Sequence, residues 1–495
     1  MATARIVIKD EVNVKIDGLD LDTRKKLVKK FKYFQQSAKY QPAYRLGRWD
    51  GCVGFFGLGG TTYVSLLDQV LPIIESEGYY IEVEDERTSE PLAFAKIKED
   101  YWGDQCWPKG HRFEGEPIRL RDDQVETVNI FLENPQALQE IATGAGKTIM
   151  TATLSKICEK YGRTITVVPN KSLVEQTEED FINVGLDVGV YYGDRKDLNK
   201  THTICTWQSL NVLDKKTKNG EAELITLAEF LEGVSTVIID EVHQAKAEVL
   251  KNLLTQNLRN APIRWGLTGT VPKDSLEFES IRCSLGNVVG RVSAYELQQK
   301  GVLSTCHVNI VQTQEWKEFG SYPEELKYLV TDKDRVAFLA SMIKNIALTG
   351  NALVLVDRIE TGKMLKEIFG DEVAFISGAM KTTDRKEEYD EIATANNTIT
   401  IATYGVAAVG INIPRIFNLV LLEPGKSFVR VIQSIGRGIR KAKDKDYVDI
   451  WDLTANTKYA KRHLTERKKF YKDAQYPFTI DKVKQPQNAN TNTRK

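Results

Sequence analysis

The sequence predicts an α/β chain with two parallel sheets behind a small α/β N-terminal domain. Two tracts carry that prediction. Between 118 and 300, short apolar runs at 137–141, 164–168, 204–206 and 237–239 alternate with helical patterns. The alternation resumes after residue 330, with strand-like runs at 352–356, 373–376, 398–402, 419–422 and 448–451. A third observation marks where the chemistry sits. The run 137–141 meets a helix-compatible run, 149–160, through a glycine-rich turn, and no such turn recurs in the second tract.

At 495 residues the length suggests about three domains of ~150 residues each. Hydrophobic content of 42% and charged content of 27% are those of an ordinary soluble globular chain. The 68 basic and 68 acidic residues cancel, so nucleic-acid binding has to come from local patches and not from a global field. The six cysteines (52, 106, 158, 205, 283 and 306) form no C-x-x-C pair. That argues against a zinc or iron–sulfur site and predicts reduced, buried thiols. The start carries no signal-peptide core, and no apolar run approaches 18 residues. The expected location is the cytoplasm, with no membrane partner.

Residues 1–85 read as the small α/β unit. Strands are expected at 5–9 and 12–16, a helix at 21–38, and a hairpin-type turn at Asp50-Gly51. A second helix at 64–77, interrupted by Pro72, and a strand at 79–83 complete it. The first helix carries Arg24, Lys25, Lys26, Lys29, Lys30 and Lys32, with Phe31, Tyr33 and Phe34 at its far end. Its plain reading is a solvated basic face. Its sharper reading, supported by Arg45, Arg48 and Trp49 nearby, is a contact for a nucleic-acid backbone. The stretch 85–117 is punctuated by Pro and Gly and reads as a linker packed through Trp102 and Trp107. A basic, aromatic helix at 458–472 and a polar tail at 485–495, expected to be disordered, close the chain.

The glycine-rich turn is Ala142-Thr143-Gly144-Ala145-Gly146-Lys147-Thr148. Its N–H groups and the helix N-terminus suit a polyphosphate, with Lys147 on the outer phosphates and the Thr148 hydroxyl on Mg²⁺. The full G-x-x-x-x-G-K-[ST] pattern has a glycine where this chain has Ile141, so an ordinary glycine turn is the alternative. The apolar run 237–239 ends in Asp240-Glu241-Val242-His243. Asp240 suits Mg²⁺ and Glu241 suits deprotonation of an attacking water, against a plain solvated loop start. Leu267-Thr268-Gly269-Thr270 reads on its own as a turn. In Gln433-Ser434-Ile435-Gly436-Arg437-Gly438-Ile439-Arg440, two arginines three residues apart share a helix face.

In that order, these four stretches resemble motifs I, II, III and VI of the superfamily 2 helicases. Leu120-Arg121-Asp122-Asp123-Gln124 resembles the adenine-reading glutamine motif. The run 168–176 resembles motif Ia, 205–210 motif Ib and 402–414 motif V. The likeness spans 118–455. A small basic N-terminal domain with Arg45 to Gly51, the Thr206-Trp207-Gln208 segment and the Gln433 to Arg437 ending resemble the phage recombination helicases within the superfamily. Two departures stand out. Asn412 occupies a position often acidic in motif V, and Asp-Glu-Val-His differs from the Asp-Glu-Ala-Asp of many RNA helicases.

The resemblance implies two tandem RecA-like parallel-sheet domains at 111–300 and 301–455. A nucleic-acid-binding N-terminal domain with its linker would occupy 1–110, and a basic helix and tail 456–495. It implies ATP and Mg²⁺ as cofactors. Arg121, Gln124 and Gln433 would bind the nucleotide together with Thr143, Gly144, Ala145, Gly146, Lys147 and Thr148. Lys147, Asp240, Glu241, Arg437 and Arg440 would be catalytic, with Thr148 and Asp240 on the metal. His243, Thr268 and Thr270 would couple hydrolysis to motion. Pro169, Asn170, Thr206, Gln208, Thr403, Arg45, Arg48 and Trp49 would contact nucleic acid. The implied partner is branched or forked DNA, with RNA in hybrids and recombination or replication proteins beside it, and the implied form is a monomer. If the gene belongs to a phage, the cytoplasm is the host's. The rival readings are a duplex translocase, an RNA-directed ATPase and a nucleotide-gated binding or annealing module.

Overall fold

The computed structural model describes residues 2–88, 91–111, 113–222, 224–244, 247–272, 274–370, 373–378, 395–410, 415–425, 435–436 and 444–484. It divides into two compact units: 1–141 with 146–291, and 142–145 with 292–495.

In the first unit a four-stranded sheet orders Thr61–Tyr63, Asn13–Asp17, Thr3–Ile8 and Tyr80–Asp85. It packs onto helix Ser275–Leu285, whose Cys283 and Leu276 join its core. Arg282 Nη2 donates to both Asp68 carboxylate oxygens at 2.8 Å. Gln136, the first residue of the strand that feeds the glycine-rich turn, donates its side-chain amide to the Glu11 carbonyl at 3.0 Å. The small domain therefore braces the larger sheet directly.

That larger sheet has eight strands. Across it run Arg195–Lys196, Val188–Tyr192, His202–Thr206, Arg163–Val168, Val234–Asp240, Ile263–Thr268, Gln136–Ile141 and Asn287–Val292. The strands from Val188–Tyr192 to Gln136–Ile141 pair in parallel. Their side chains are buried on both faces, as their Val-, Ile- and Thr-rich runs require. Because they are parallel, every segment following a strand leaves from one edge. Ile239 stands opposite Val167, Asp240 opposite Leu267, and Thr268 opposite Glu140.

The second unit holds a seven-stranded sheet ordered Ala374–Ile376, Ile399–Thr403, Ala352–Val356, Asn418–Leu422, Tyr447–Ala455, Thr305–Gln314 and Phe478–Lys484. All of its neighbours pair in parallel.

Several expectations fail locally. The helix expected over 21–38 ends at Lys30, because Lys32–Phe34 pairs antiparallel with Cys52–Gly54 and packs Tyr33 against Phe55. Aromatic residues gain more on that half-buried ribbon than in a helix. Asp50-Gly51 is consequently not a two-residue hairpin loop. It closes a long connection that contains two short helical turns, Gln36–Tyr40 and Pro42–Arg45. Pro72 sits inside a continuous helix, Leu67–Ser76, preceded by the 3₁₀ turn Val64–Leu66. Strand Ile263–Thr268 was not foreseen because Arg264 interrupts its apolar run. Its guanidinium is buried and donates to the carbonyls of Leu254, Leu258 and Ser284 at 2.5–2.9 Å. Strands Val188–Tyr192, Asn287–Val292, Thr305–Gln314 and Phe478–Lys484 were likewise not foreseen.

The basic C-terminal helix spans Lys458–Asp473. The tail 485–495 lies outside the described residues. Of the six cysteines, Cys158, Cys205, Cys283 and Cys306 are buried, but Cys52 is half-buried and Cys106 exposed; all are free thiols. In the stretch 85–117, Trp102 is buried and donates to Thr153 Oγ1 at 3.2 Å, and Trp107 stacks on His111. No described helix is long and apolar enough to cross a membrane.

Candidate nucleotide site and nucleic-acid surface

The carboxyl edge of the eight-stranded sheet gathers most of the residues picked out in the sequence. Strand Gln136–Ile141 delivers the glycine-rich turn, and helix Lys147–Cys158 leaves it. Gly144 (φ +90°) and Gly146 (φ +83°) both take the left-handed backbone that other residues resist. A Cβ on Gly146 would come 2.5 Å from Gln124 Nε2, so the turn and the glutamine-motif side chain are in contact.

Gln124 is buried in the first turn of helix Asp122–Glu133 and accepts from the Arg121 N–H at 3.1 Å. Arg121 is held by Asp123, with Nε and Nη2 each 2.9 Å from a carboxylate oxygen. Asp123 is a partner that the sequence reading did not weigh, although it lies within the same motif.

Lys147 Nζ lies 2.7 Å from Glu241 Oε1 and 3.5 Å from the Ile141 carbonyl. Both members of the ion pair are close to buried. Glu241 follows strand Val234–Asp240 with φ +52°, a strained backbone for a glutamate. Such strain persists only where surrounding structure holds it, commonly at functional sites. The Glu241 N–H donates to Asp240 Oδ1 at 2.9 Å, and Oε2 accepts from the Gly269 N–H at 3.4 Å. Gly269, in the Thr-Gly-Thr turn, is therefore a further neighbour of the carboxylate that the sequence did not identify.

His243 connects the same pair of segments. Its Nδ1 is 2.6 Å from Thr268 Oγ1 and 3.5 Å from Glu241 Oε2. Thr268 Oγ1–H donates to the Thr270 carbonyl at 2.8 Å, so it accepts from His243 Nδ1–H. Burial pushes the His243 imidazole below its ordinary value, with Glu241 opposing and Lys147 assisting. The ring is thus neutral at pH 7, a donor to Thr268. The Thr270 hydroxyl is buried with no hydrogen-bond partner among the described residues.

Thr148 follows Lys147 on the helix, and Asp240 closes its strand, both half-buried. Among the described residues no cluster of three His, Cys, Asp or Glu stands ready for a metal. One hydroxyl and one carboxylate suit Mg²⁺, which commonly binds through one or two carboxylates plus substrate phosphates. The glycine cradle and this donor set therefore fit a Mg²⁺–nucleotide.

The segments assigned to nucleic acid leave neighbouring strands of the same sheet. Gln208 Nε2 donates to the Pro169 carbonyl at 2.9 Å and ties the two segments together. Asn170 and Thr206 cap helices Lys171–Asn183 and Trp207–Asn219 through their side chains. Thr206 is buried, so its reach outward is limited. Arg45 and Arg48 are exposed and Trp49 is half-buried on the small domain, with Trp49 Nε1 donating to the Cys52 carbonyl at 2.9 Å. In the second unit, Thr403 ends strand Ile399–Thr403 and is half-buried. Gly436 lies against Thr143, where a Cβ on Gly436 would come 2.8 Å from Thr143 Cβ. Gln433, Arg437, Arg440 and Asn412 lie outside the described residues.

Comparison with known proteins covers both halves of the chain. Residues 117–273 match the family model "Type III restriction enzyme, res subunit", and 334–442 match "Helicase conserved C-terminal domain". The ATP-dependent DNA helicase UvsW of Enterobacteria phage T4 is 23% identical over 490 residues, covering 92% of this chain and 94% of that protein. Among solved structures, the ATP-dependent Type ISP restriction-modification enzyme LlaBIII bound to DNA aligns with a TM-score of 0.56 at 15% identity. That alignment covers 86% of this chain and 34% of the other. A fragment of an HsdR subunit of a type I restriction enzyme from Vibrio vulnificus aligns at 0.54 and 16%, covering 95% and 85%. These two likenesses speak to fold alone.

Proposed function

This chain belongs to the superfamily 2 helicases, and from that premise we propose that its ATP-driven motion remodels branched DNA. It is a nucleic-acid-dependent ATPase related to a phage DNA helicase. The finer reading comprises fork regression, Holliday-junction branch migration and unwinding of R-loops and D-loops in recombination, repair and replication. It places the protein in the cytoplasm, that of the host for a phage gene.

The observation that carries the enzymatic part is the Lys147–Glu241 ion pair beside Asp240. Arriving phosphates compete for Lys147 and release the Glu241 carboxylate, which then accepts the proton of the attacking water. Thr148 and Asp240 would hold Mg²⁺, which would supply charge neutralisation at the phosphates. Gln124, steadied by Arg121, reads the adenine edge. His243 passes the state of Glu241 to Thr268 and Thr270 through its hydrogen bond. Arg437 and Arg440 stabilise the transition-state charge, a contribution worth about 10³–10⁵ in rate where it has been measured in other enzymes. Arg440→Ala should keep ATP binding and lose turnover; normal turnover would remove that role.

The branched substrate rests on likeness to UvsW along nearly the whole chain, including the N-terminal region that carries Arg45, Arg48 and Trp49. A duplex translocase is the second reading, supported by the match of residues 117–273 to the family model of a restriction-enzyme subunit. The deciding experiment compares ATP hydrolysis at one salt concentration with no nucleic acid, single-stranded DNA, linear duplex, a four-way DNA junction and structured RNA. Greatest stimulation by the junction, lost in Glu241→Gln, supports the proposal. Greatest stimulation by linear duplex supports the translocase, and by RNA alone an RNA-directed ATPase.

A further inference from the structure

Two basic helices of this chain differ in how their charge is spent. On Leu21–Lys30 and the strand after it, Lys25, Lys26 and Lys32 pair with Asp22, Glu77 and Asp50 and Arg24 donates to the Leu19 carbonyl, so only Lys29 and Lys30 have no such partner among the described residues. On Lys458–Asp473, Lys469 pairs with Glu466, while Lys458, Lys461, Arg462, Lys468 and Lys472 have no carboxylate partner among the described residues. Positions 458, 461, 462, 468, 469 and 472 fall within one arc of the helix at 100° per residue, and the stripe is about 21 Å long. In a chain of zero net charge, this is a local concentration.

An aromatic surface borders the stripe. Thr313 stands opposite Ala455 in the parallel pair, so the loop after Thr305–Gln314 and the basic helix leave the same edge of the second sheet. Glu325 accepts from the Tyr459 and Ala460 N–H groups at 3.1 and 2.7 Å and fixes helix Tyr322–Thr331 to the start of the basic helix. Tyr322, itself partly exposed, packs against Tyr459 and His463, with ring centroids 5.9 and 5.0 Å apart. In the preceding loop Trp316 is 81% exposed, the most exposed of the large hydrophobic side chains described. An indole left in water forgoes the burial that usually stabilises it. Of the acidic residues nearby, Glu315 pairs with Arg335 and Glu325 with the start of the basic helix, while Glu318, Glu324, Glu466 and Asp473 leave the helix cations in excess.

Resting on the helicase reading, we propose that this face of the second unit binds a single strand of DNA. Its phosphates lie on the stripe from Lys458 to Lys472, and a base stacks on Trp316. Cations tracking a backbone beside an exposed aromatic are the chemistry of sequence-tolerant single-strand binding. None of the motif segments includes these residues.

The test uses the full chain, a fluorescent oligothymidine and a duplex of the same length, with affinity measured across a salt series. Trp316→Ala should weaken oligothymidine binding roughly 5- to 150-fold, the equivalent of ~1–3 kcal/mol for one stacked base, and spare the duplex. Trp316→Phe should restore most of it. Joint substitution Lys458→Gln, Lys461→Gln and Arg462→Gln should lower the salt slope by about 2, at ~0.7 per lost single-strand contact. Melting temperature and ATP hydrolysis without DNA should match wild type in every variant. Unchanged binding in either variant overturns the proposal, as does equal loss on duplex and single strand. A wild type that neither binds DNA nor responds to it would instead fail the helicase reading itself.

Discussion

Each sheet of this protein carries a buried glutamate just past the end of a strand, and the two differ in the company they keep. Glu241 follows Val234–Asp240 with φ +52°; Glu423 follows Asn418–Leu422 with φ +44°. Each meets a cation, Lys147 at 2.7 Å and Arg335 at 2.6 Å. Lys147 stands at the end of the glycine-rich turn and holds Glu241 by a single compact charge. Arg335 is fully buried, donates also to Glu315 and Thr313, and bonds the Leu329 carbonyl. Near it Arg467 spans both oxygens of Asp452, at 2.8 and 2.9 Å, and bonds the Gly425 carbonyl at 2.6 Å. The same backbone corner thus holds a single lysine pair in one sheet and a network of guanidiniums and carboxylates in the other. A positive-φ glutamate alone does not mark a catalytic site; the proposed function rests on the one whose partner stands at the glycine-rich turn.

Four perturbations would break or sharpen that contrast. Glu241→Gln removes the proposed proton acceptor and should lower ATP turnover about 10²- to 10⁴-fold, whereas Glu423→Gln should leave turnover close to wild type. Steady-state hydrolysis by both variants reads this, and an equal loss in both would erase the distinction. Arg335→Met strands Glu315 and Glu423 without a guanidinium between them. Removing one partner of a buried pair costs about 3–5 kcal/mol, visible by denaturant unfolding. Gly146→Ala must place a side chain at φ +83° beside Gln124, at a cost of about 1–2 kcal/mol for the left-handed backbone. The apparent KM for ATP should rise about 5- to 30-fold, since 1.4 kcal/mol is tenfold.

The smallest expected effect concerns pH. Two guanidiniums, Arg335 and Arg467, face three carboxylates, Glu315, Glu423 and Asp452, leaving one excess negative charge in the interior. Burial pushes Glu423 up to about 7, with Arg335 and Arg467 opposing. A carboxyl whose folded value is raised binds its proton more tightly when folded. Its contribution is therefore full below the ordinary value of 4.5 and declines as pH rises towards 7. Wild type should lose stability relative to Glu423→Gln across that window, as melting at a series of pH values would show. A flat difference would mean the network holds Glu423 ionised throughout.

The layout of the candidate site was legible because parallel sheets put function at strand ends, and each such end carried its own signature. Strands that read as unbroken apolar runs, such as 164–168 and 352–356, were found to within a residue. Ile263–Thr268 was hidden by Arg264, whose charge is satisfied by carbonyls distant in sequence. Phe478–Lys484 alternates Ile480 and Val483 with Asp481, Lys482 and Lys484, the dress of a charged edge strand, and sits next to a polar tail. Glu315, Glu423 and Asp452 gave no sign of being joined, because the contacts that join them to Arg335 and Arg467 span 15 to 88 positions. The Lys147–Glu241 contact is equally distant in sequence, but its two ends belong to known motifs.

The parallel pairing of Thr305–Gln314 with Phe478–Lys484 also bears on how the protein is made. Phe478 reaches its partner Val308 170 positions later in the chain, and the other neighbour, Tyr447–Ala455, is itself synthesised late. At roughly 5–20 residues per second on the ribosome, the strand that opens the second sheet waits about 10–30 s with both edges unpaired. During synthesis it is a ten-residue template of unpaired N–H and C=O groups, with Val308, Ile310 and Val311 set among polar residues, and its late partners are what retire it from aggregation.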